Sequence, residues 1–415
     1  LGQRALEGYR ALDLTDEKGF ICGLILSYLG VDVIKVEPPG GDRSRMIGPF
    51  LNDIPHPERS LYWFAYNANK RGITLNLNDE YGKEIFRKLV GRSHFVIESF
   101  DPGYMDEIGL GYKSLMGINK GIILTSITPF GQDGPYRSYK ASDLVAMAMG
   151  GLVYLCGDPD RPPVRISFPQ AYLHGGAEAA VATLIAHYYR EKTGEGQWVD
   201  CSIQQSVYLT TFNAPVFWEL NGMILRRAGA WRTGLTSGTL QRQIWPCKDG
   251  YVNFPVYGGI VGAVTNRRLV EWMDSEGMAD DFLKGMDWEN LDLVRIDQET
   301  WNLIEDRFAR FFASHTKEEL YRISIERNVM LYPVSTPSEI AENEQLRARD
   351  YWVELFHPEL NKKITYPGPP VKASLTPMEI RRRAPLIGEH NREVYCDELG
   401  ISEKDLEILR ERGVI

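Results

Sequence analysis

The chain has 415 residues, of which 43% are hydrophobic and 25% charged, the balance of a soluble globular protein with a large core and two or three domains. Its formal net charge of −9 argues against a nucleic-acid binder, which needs a basic face to engage phosphates. No apolar run approaches the roughly 18 residues of a membrane span, the mixed start Leu1–Arg10 does not read as a secretory leader, and five scattered cysteines without a CxxC pair fit reduced thiols in a cytoplasmic protein.

Arg10–Leu14 reads as a strand and Gly19–Leu29 as a mostly apolar helix. Val31–Val36 is a second strand, closed by Glu37, and its β-branched residues favour an extended backbone. Gly72–Leu77 and His94–Phe100 are further strands with a helix between them at Glu80–Val90, and Ile122–Ile127 is another strand. Strands spaced by helices predict βαβ units and a parallel sheet. A strand–helix–strand ending in an acidic residue is also a dinucleotide-binding signal, but the turn Asp16-Glu17-Lys18-Gly19 lacks GxGxxG. Without those glycines the backbone is kept from a pyrophosphate, and there is no Walker A loop, so nicotinamide, flavin and nucleotide-hydrolysing enzymes are disfavoured.

Pro169–Lys192 is predicted as a long helix, with Ala180, Val181, Leu184, Ile185 and Tyr188 as a core-facing stripe and Thr193-Gly194-Glu195-Gly196 as its stop. Val199–Ile203 is strand-like, a second helix runs to about Asn221, and Arg226–Gly238 is a Gly-, Arg- and Thr-rich crossing segment. Trp245–Met330 changes character, with a short strand region and then charged amphipathic helices, and Leu331–Pro337 leads out of it. The proline-rich Tyr366–Pro377 is expected to lie extended across another surface. The expected domains are residues 1–225, 226–337 and 338–415. No metal site is expected, because the seven histidines are dispersed without HExxH spacing; His187 reads as a packed residue of the long helix.

Six motifs occur in order: Leu6-Glu7-Gly8 followed by Leu12-Asp13-Leu14-Thr15; Leu29-Gly30-Val31-Asp32-Val33-Ile34-Lys35-Val36-Glu37; Asn69-Lys70-Arg71-Gly72-Ile73-Thr74-Leu75-Asn76-Leu77; Phe130-Gly131-Gln132-Asp133-Gly134-Pro135-Tyr136; Arg190-Glu191-Lys192-Thr193-Gly194-Glu195-Gly196-Gln197; and Pro385-Leu386-Ile387-Gly388-Glu389-His390. Together they resemble the class III CoA-transferase family over almost the whole chain. The resemblance implies an α/β fold with a large Rossmann-like domain and a smaller α/β domain, in a dimer whose chains pass through one another like linked rings. It also implies a reaction that moves coenzyme A from a thioester to a free carboxylate, through an aspartate that becomes first a mixed anhydride and then a thioester.

The family carries that aspartate in a segment close to P-x-A-D-L-x-x-G, where this chain reads Pro169-Gln170-Ala171-Tyr172-Leu173-His174-Gly175-Gly176. Tyr172 thus occupies the nucleophile position, and an acylated phenol offers no enzyme-side carbonyl for CoA to attack. Neither Glu178 nor Asp200 is a convincing substitute: the first points away from position 172 on a helix of about 3.6 residues per turn, and the second lies on the next strand. The family's frequent Asn, Arg or Lys, and later Arg become Ser99, Asp101 and Glu107, and Pro38 stands where some members carry Arg. The racemases of the same family pair the aspartate with a histidine, and here that position is Ser142.

The remaining basic candidates for CoA binding are Arg45, Lys70, Arg71 and Lys140. The resemblance therefore implies no catalytic residue in this chain and a homologous partner subunit that carries the aspartate. Within the family it is similar to the two-subunit transferases that pass CoA from succinyl-CoA to benzylsuccinate in anaerobic toluene degradation. The alternatives are a homodimeric CoA-thioester enzyme with another catalytic residue, and a binding or regulatory protein that kept the fold.

Overall fold

The computed structural model describes residues 4–233 and 238–415. Part of the expected crossing segment Arg226–Gly238, at 234–237, and the first three residues of the Leu1–Arg10 start lie outside the described residues. The chain divides into a larger unit, made of the chain up to Leu152 with Ile166–Phe212 and Glu344–Ile415, and a smaller unit of Val153–Arg165 and Asn213–Asn343.

In chain order the larger unit begins with β1 (Arg10–Leu14), α1 (Phe20–Tyr28), β2 (Asp32–Glu37), α2 (Leu61–Asn67), β3 (Arg71–Thr74), α3 (Glu80–Val90) and β4 (Phe95–Glu98). It continues with α4 (Tyr104–Glu107), α5 (Tyr112–Ile118), β5 (Ile123–Thr128), α6 (Asp143–Met149), α7 (Ala171–Thr193), β6 (Trp198–Ser202) and α8 (Ile203–Tyr208). The six strands form one parallel sheet in the order β3-β2-β1-β4-β5-β6. That is the doubly wound order, and the direction of winding reverses between β1 and β4, where a crevice opens beyond the carboxyl ends. Every residue of β4 and β5 is buried, as expected of parallel strands covered on both faces.

Local chemistry fixes the connections. Asp79 caps α3 by accepting from the amides of Tyr81 at 2.8 Å and Gly82 at 3.4 Å, and Ile85, Phe86, Leu89 and Val90 turn into the core. The C-terminal segment closes the β3 edge: the amide of His390 donates to the Gly72 carbonyl at 2.9 Å, and the Tyr395 hydroxyl to the Thr74 carbonyl at 2.7 Å.

The long helix forms as predicted at α7, but its stripe faces the other way. Only Ala180 of the expected set is buried; Val181, Ile185 and Tyr188 are 52%, 65% and 64% exposed. The inner face is instead Gly175, Gly176, Ala179, Ala180, Thr183 and Ala186. The reason is closeness to α1: a Cβ built on Gly176 would stand 2.1 Å from Cγ2 of Ile21, so this contact admits only small residues. The expected single helix to Asn221 is broken after α8 by a 3-10 turn at Leu209–Thr211, and helix resumes as α9 (Ala214–Asn221), with Pro215 in its first turn.

The smaller unit holds α9, the antiparallel pair β7 (Trp231–Thr233) and β8 (Leu240–Arg242), then β9 (Ile244–Cys247), β10 (Gly250–Asn253), α10 (Gly259–Ser275), α11 (Asp281–Lys284), α12 (Gln298–Ala313), α13 (Lys317–Arg327), β11 (Tyr332–Pro333) and α14 (Pro337–Glu342). Its second sheet runs β11-β10-β9 around an aromatic core that includes Trp245, Phe254, Trp272, Trp301 and Phe308. Val153–Arg165 groups with this unit because Arg227 donates to the Tyr154 carbonyl at 3.0 Å and lies over the Tyr154 ring at 5.3 Å. The chain then returns to the larger unit through α15 (Glu344–Ala348), the hairpin β12 (Trp352–His357) and β13 (Lys362–Pro367), and α16 (Glu403–Glu411). Leu355 and Tyr366 of that hairpin pack with Phe20, Tyr62 and Trp63.

Candidate functional site

A cleft of about 1030 Å³ lies at the carboxyl ends of β1 to β5 in the larger unit. Each wall is the loop that follows a strand: Asp16 and Lys18 after β1, Pro38 to Arg43 after β2, Leu75 to Asn78 after β3, Ser99 to Pro102 after β4, and Arg137 to Ala141 after β5. A doubly wound sheet places its ligand site in this position.

Lining the cleft are the cations Lys18, Arg43, Arg137 and Lys140. Lys18 and Arg43 both pair with Asp16, Arg43 at 3.1 Å. Burial pushes the Asp16 carboxyl up, but the Lys18 charge and the hydrogen bonds from Lys18 and Ser99 outweigh it and hold the group below the usual carboxylate range. Lys140 contacts Asp101 with both side chains largely exposed, and Arg137 has no ion pair among the described residues. The carboxylates of Asp16 and Asp101 thus already answer three of the four charges.

Tyr172 is the second residue of α7 and is 8% exposed. Its backbone N–H donates to Oδ1 of Asp143, the first residue of α6, at 3.2 Å. Burial, followed by the charges of Glu17, Asp16 and Asp143, pushes its hydroxyl well above the usual tyrosine range, so the phenol stays neutral. Tyr62 shares this environment, with its ring centroid 4.7 Å from that of Tyr66 and 6.2 Å from that of Phe168. Position 172 therefore carries a buried, neutral phenol that feels the negative charges of Glu17, Asp16 and Asp143.

Of the four basic residues singled out from the sequence, only Lys140 lines the cleft. Arg45 is fully buried, with Nε 2.6 Å from Glu37, Nη1 2.8 Å from Glu58, and its guanidinium 3.8 Å over the Trp63 ring. Lys70 lies 2.8 Å from Asp13 in the core, where Lys35 also approaches Asp13 at 3.8 Å. Arg71 grips both oxygens of Asp32 at 2.9 and 2.6 Å and reaches Glu393 and Glu398 at 2.8 and 2.6 Å. These three charges are satisfied inside the fold.

Ser99 donates to Asp16 at 2.8 Å and lines the cleft with Asp101 and Pro38, whereas Glu107 ends α4 and Ser142 precedes α6. Glu178 sits on α7 and Asp200 on β6, where Asp200 accepts from the Gln132 amide at 2.9 Å. Lys18, Arg43, Arg137, Asp16 and Glu17 were not singled out from the sequence. Their signal was position: each lies in a loop immediately beyond a predicted parallel strand, and Arg137 directly follows the FGQDGPY motif.

A second cavity, of about 350 Å³, adjoins the loop after β4 and is lined by Glu98, Asp101, Tyr112, Ser126 and Trp198, among others. Burial pushes the Glu98 carboxyl up to about 7, against the hydrogen bonds from Ser126 and the Phe100 amide. Among the described residues no helix is long and apolar enough to cross a membrane, and no group of three or more His, Cys, Asp or Glu is placed to hold a metal ion.

A doubly wound sheet with a charged cleft at its carboxyl edge describes an acyl-CoA enzyme as readily as a nucleotide binder, and the comparison with known proteins decides between them. The chain belongs to CoA-transferase family III, which it matches over residues 6–391. It is 36% identical to the succinyl-CoA:(R)-benzylsuccinate CoA-transferase subunit BbsE of Thauera aromatica, over 98% of this chain and 97% of that one. It is 35% identical to the formyl-CoA:oxalate CoA-transferase of Streptomyces avermitilis, over 99% and 100% of the two chains. Among solved structures it resembles a CaiB/BaiF family protein from Brucella suis, with a TM-score of 0.81 at 26% identity, over 96% of this chain and 100% of that one. The family's substrates are CoA thioesters.

Proposed function

We propose that this chain is the non-catalytic subunit of a cytoplasmic, hetero-oligomeric class III CoA-transferase, paired with a homologous subunit that carries the nucleophilic aspartate. The observation that carries this reading is Tyr172, a neutral phenol at the start of α7 in the nucleophile position. The transfer reaction needs an enzyme carboxylate at every step. The carboxylate attacks the thioester carbonyl and expels CoA thiolate, leaving a mixed anhydride. The thiolate then attacks the enzyme-side carbonyl, releasing the first acid and leaving an enzyme thioester. The second acid reverses the sequence and leaves with CoA. A phenol enters none of these steps.

The substrates we infer are succinyl-CoA and benzylsuccinate, by similarity to a subunit of a transferase named for them. For the CoA phosphates we assign Lys140 together with Arg137, Lys18 and Arg43, while Arg45 braces the cleft residue Glu37 and Lys70 and Arg71 are held in ion pairs inside the fold. Supporting a partner chain is the outward apolar stripe of α7.

A second reading, a homodimeric CoA-thioester enzyme with a substitute carboxylate, is favoured by one observation: the charges of Glu17 and Asp143 act on Tyr172, and Asp143 accepts from its backbone N–H. One experiment separates the two. The chain is purified alone, and also with a homologous chain carrying Asp at the Tyr172 position, and each preparation receives succinyl-CoA and benzylsuccinate. The first reading expects transfer only from the pair; substantial transfer by this chain alone overturns it in favour of the second. Adding Tyr172→Asp to this chain, followed by acyl-CoA and borohydride, tests the rest of the site: hydride-sensitive inactivation means that the surrounding pocket is intact.

A further inference from the structure

At the amino-terminal edge of the central sheet, away from the cleft, the ring of Tyr9 stands between two imidazoles. Its centroid lies 4.9 Å from that of His94 and 4.6 Å from that of His187, edge-on to both. The hydrogen bonds define the charge state of each imidazole. Nδ1 of His94 accepts from the backbone N–H of Arg10 at 3.1 Å, and a backbone amide only donates. Nδ1 of His187 lies 2.7 Å from Nη2 of Arg190, and a guanidinium only donates. Both Nδ1 atoms are therefore acceptors, and both rings are neutral with the proton on Nε2.

Arg190 makes the arrangement a fastening. From the last turns of α7, its Nη1 donates to the His94 carbonyl at 2.9 Å and to the Gly121 carbonyl at 3.3 Å. Its guanidinium also lies 4.9 Å over the Phe95 ring and 5.4 Å over that of Tyr9. This one side chain, 7% exposed, ties α7 to the entries of both β4 and β5.

We propose that His94 and His187 form a proton-sensitive clamp, which holds the C-terminal turns of α7 on the sheet while both imidazoles are neutral and loosens them when either gains a second proton.

A second proton on either ring turns Nδ1 into a donor facing a donor, and sets an imidazolium beside the buried Arg190. The other charged groups around the stack do not supply enough counter-charge. On the Tyr9–Arg10 segment, Arg10 is engaged by Asp32 at 2.9 Å and Glu398 at 2.8 Å. On α7, Glu191 lies 3.5 Å from Nδ1 of His187 and 3.8 Å from Nε of Arg190, but it is half-exposed and its field is screened. Burial first and Arg190 second hold His187 below the usual imidazole range, with Glu191 opposing; His94 is held down by burial, Arg190 and His187. The sign follows. The unfolded chain takes up these protons near about pH 6.5, and the folded chain only at lower pH. The clamp's contribution is present above about pH 6.5 and is lost as pH falls through the depressed folded values. The turns it holds also carry Ile185 and Tyr188 of the outward stripe, so the clamp controls the order of that surface.

Amide hydrogen exchange on the full chain, corrected for intrinsic rates and compared at about pH 7.5 and about pH 5, reads the clamp directly. Protection of the amides of Ala186 to Thr193 is expected to fall by about tenfold or more at the lower pH, while α12 of the smaller unit changes by less than about twofold. The variant carrying His94→Asn and His187→Asn, whose amide oxygens accept the same bonds without titrating, is expected to lose the step. Equal protection of the native chain at both pH values overturns the proposal, as does the same step in the double variant. Should that variant fail to fold, NMR titration of the native imidazoles decides: values below about 6.5 for both support the clamp, and a value at or above it for either overturns it.

Discussion

At the scale of single residues, burial separates the charges that build the protein from those free to meet a ligand. Arg45 and Lys140 make the contrast plain. Arg45 is held by two carboxylates and the Trp63 ring without solvent contact, whereas Lys140 and its partner Asp101 are 80% and 73% exposed. Arg45→Ala strands Glu37 as a buried charge and is expected to cost about 3–5 kcal/mol in urea unfolding. Lys140→Ala is expected to leave the urea midpoint unchanged while weakening CoA binding by about three- to tenfold, read by calorimetry on the assembled protein. The reverse pattern, with Arg45→Ala harmless to the fold and Lys140→Ala damaging to it, would refute this division. The sequence alone shows two basic residues near family motifs and cannot rank them, because pairing partners such as Glu58 are set by the fold and not by spacing.

At the scale of elements, the helix–helix contact between α1 and α7 sets where Tyr172 stands. The contact rests on Gly176, where a methyl would meet Ile21, while Gly175 lies against Ile203 of α8. Gly176→Ala is expected to push the helices apart and cost about 1–3 kcal/mol, visible as a lower melting temperature. An unchanged melting temperature would show that the contact yields freely. This scale is also where the sequence was most and least legible. The helix at Glu80–Val90 was readable to the residue, since Asp79 caps it and its apolar spacing is regular. The parallel strands were readable as β-branched runs. The direction of the α7 face was not, because the larger apolar side chains point outward and the buried side is made of Gly, Ala and Thr. Periodicity marks which residues share a face; it takes the crossing partner to say which face is inside. The cleft was legible only as the loops beyond the strands, and its carboxylate Asp16 went unnoticed in a turn read chiefly for missing glycines.

At the scale of the whole molecule, the outward stripe of α7 makes its own prediction. Val181, Ile185 and Tyr188 form an outward apolar surface on α7 that the proposed partner chain would cover. Ile185→Glu is expected to prevent assembly with the proposed partner subunit while leaving far-UV circular dichroism unchanged, with size-exclusion chromatography as the readout. Normal assembly of that variant would place the interface elsewhere. The stripe also bears on dosage. A subunit with such a face is safe only when covered, and copies made in excess of the partner expose it to one another. Under the proposed two-subunit assembly, the amounts of the two chains must be matched at synthesis, and any surplus is a substrate for aggregation or proteolysis. A side of one helix, set outward because its other side had to be small, would in that assembly tie the abundance of this protein to that of its proposed partner.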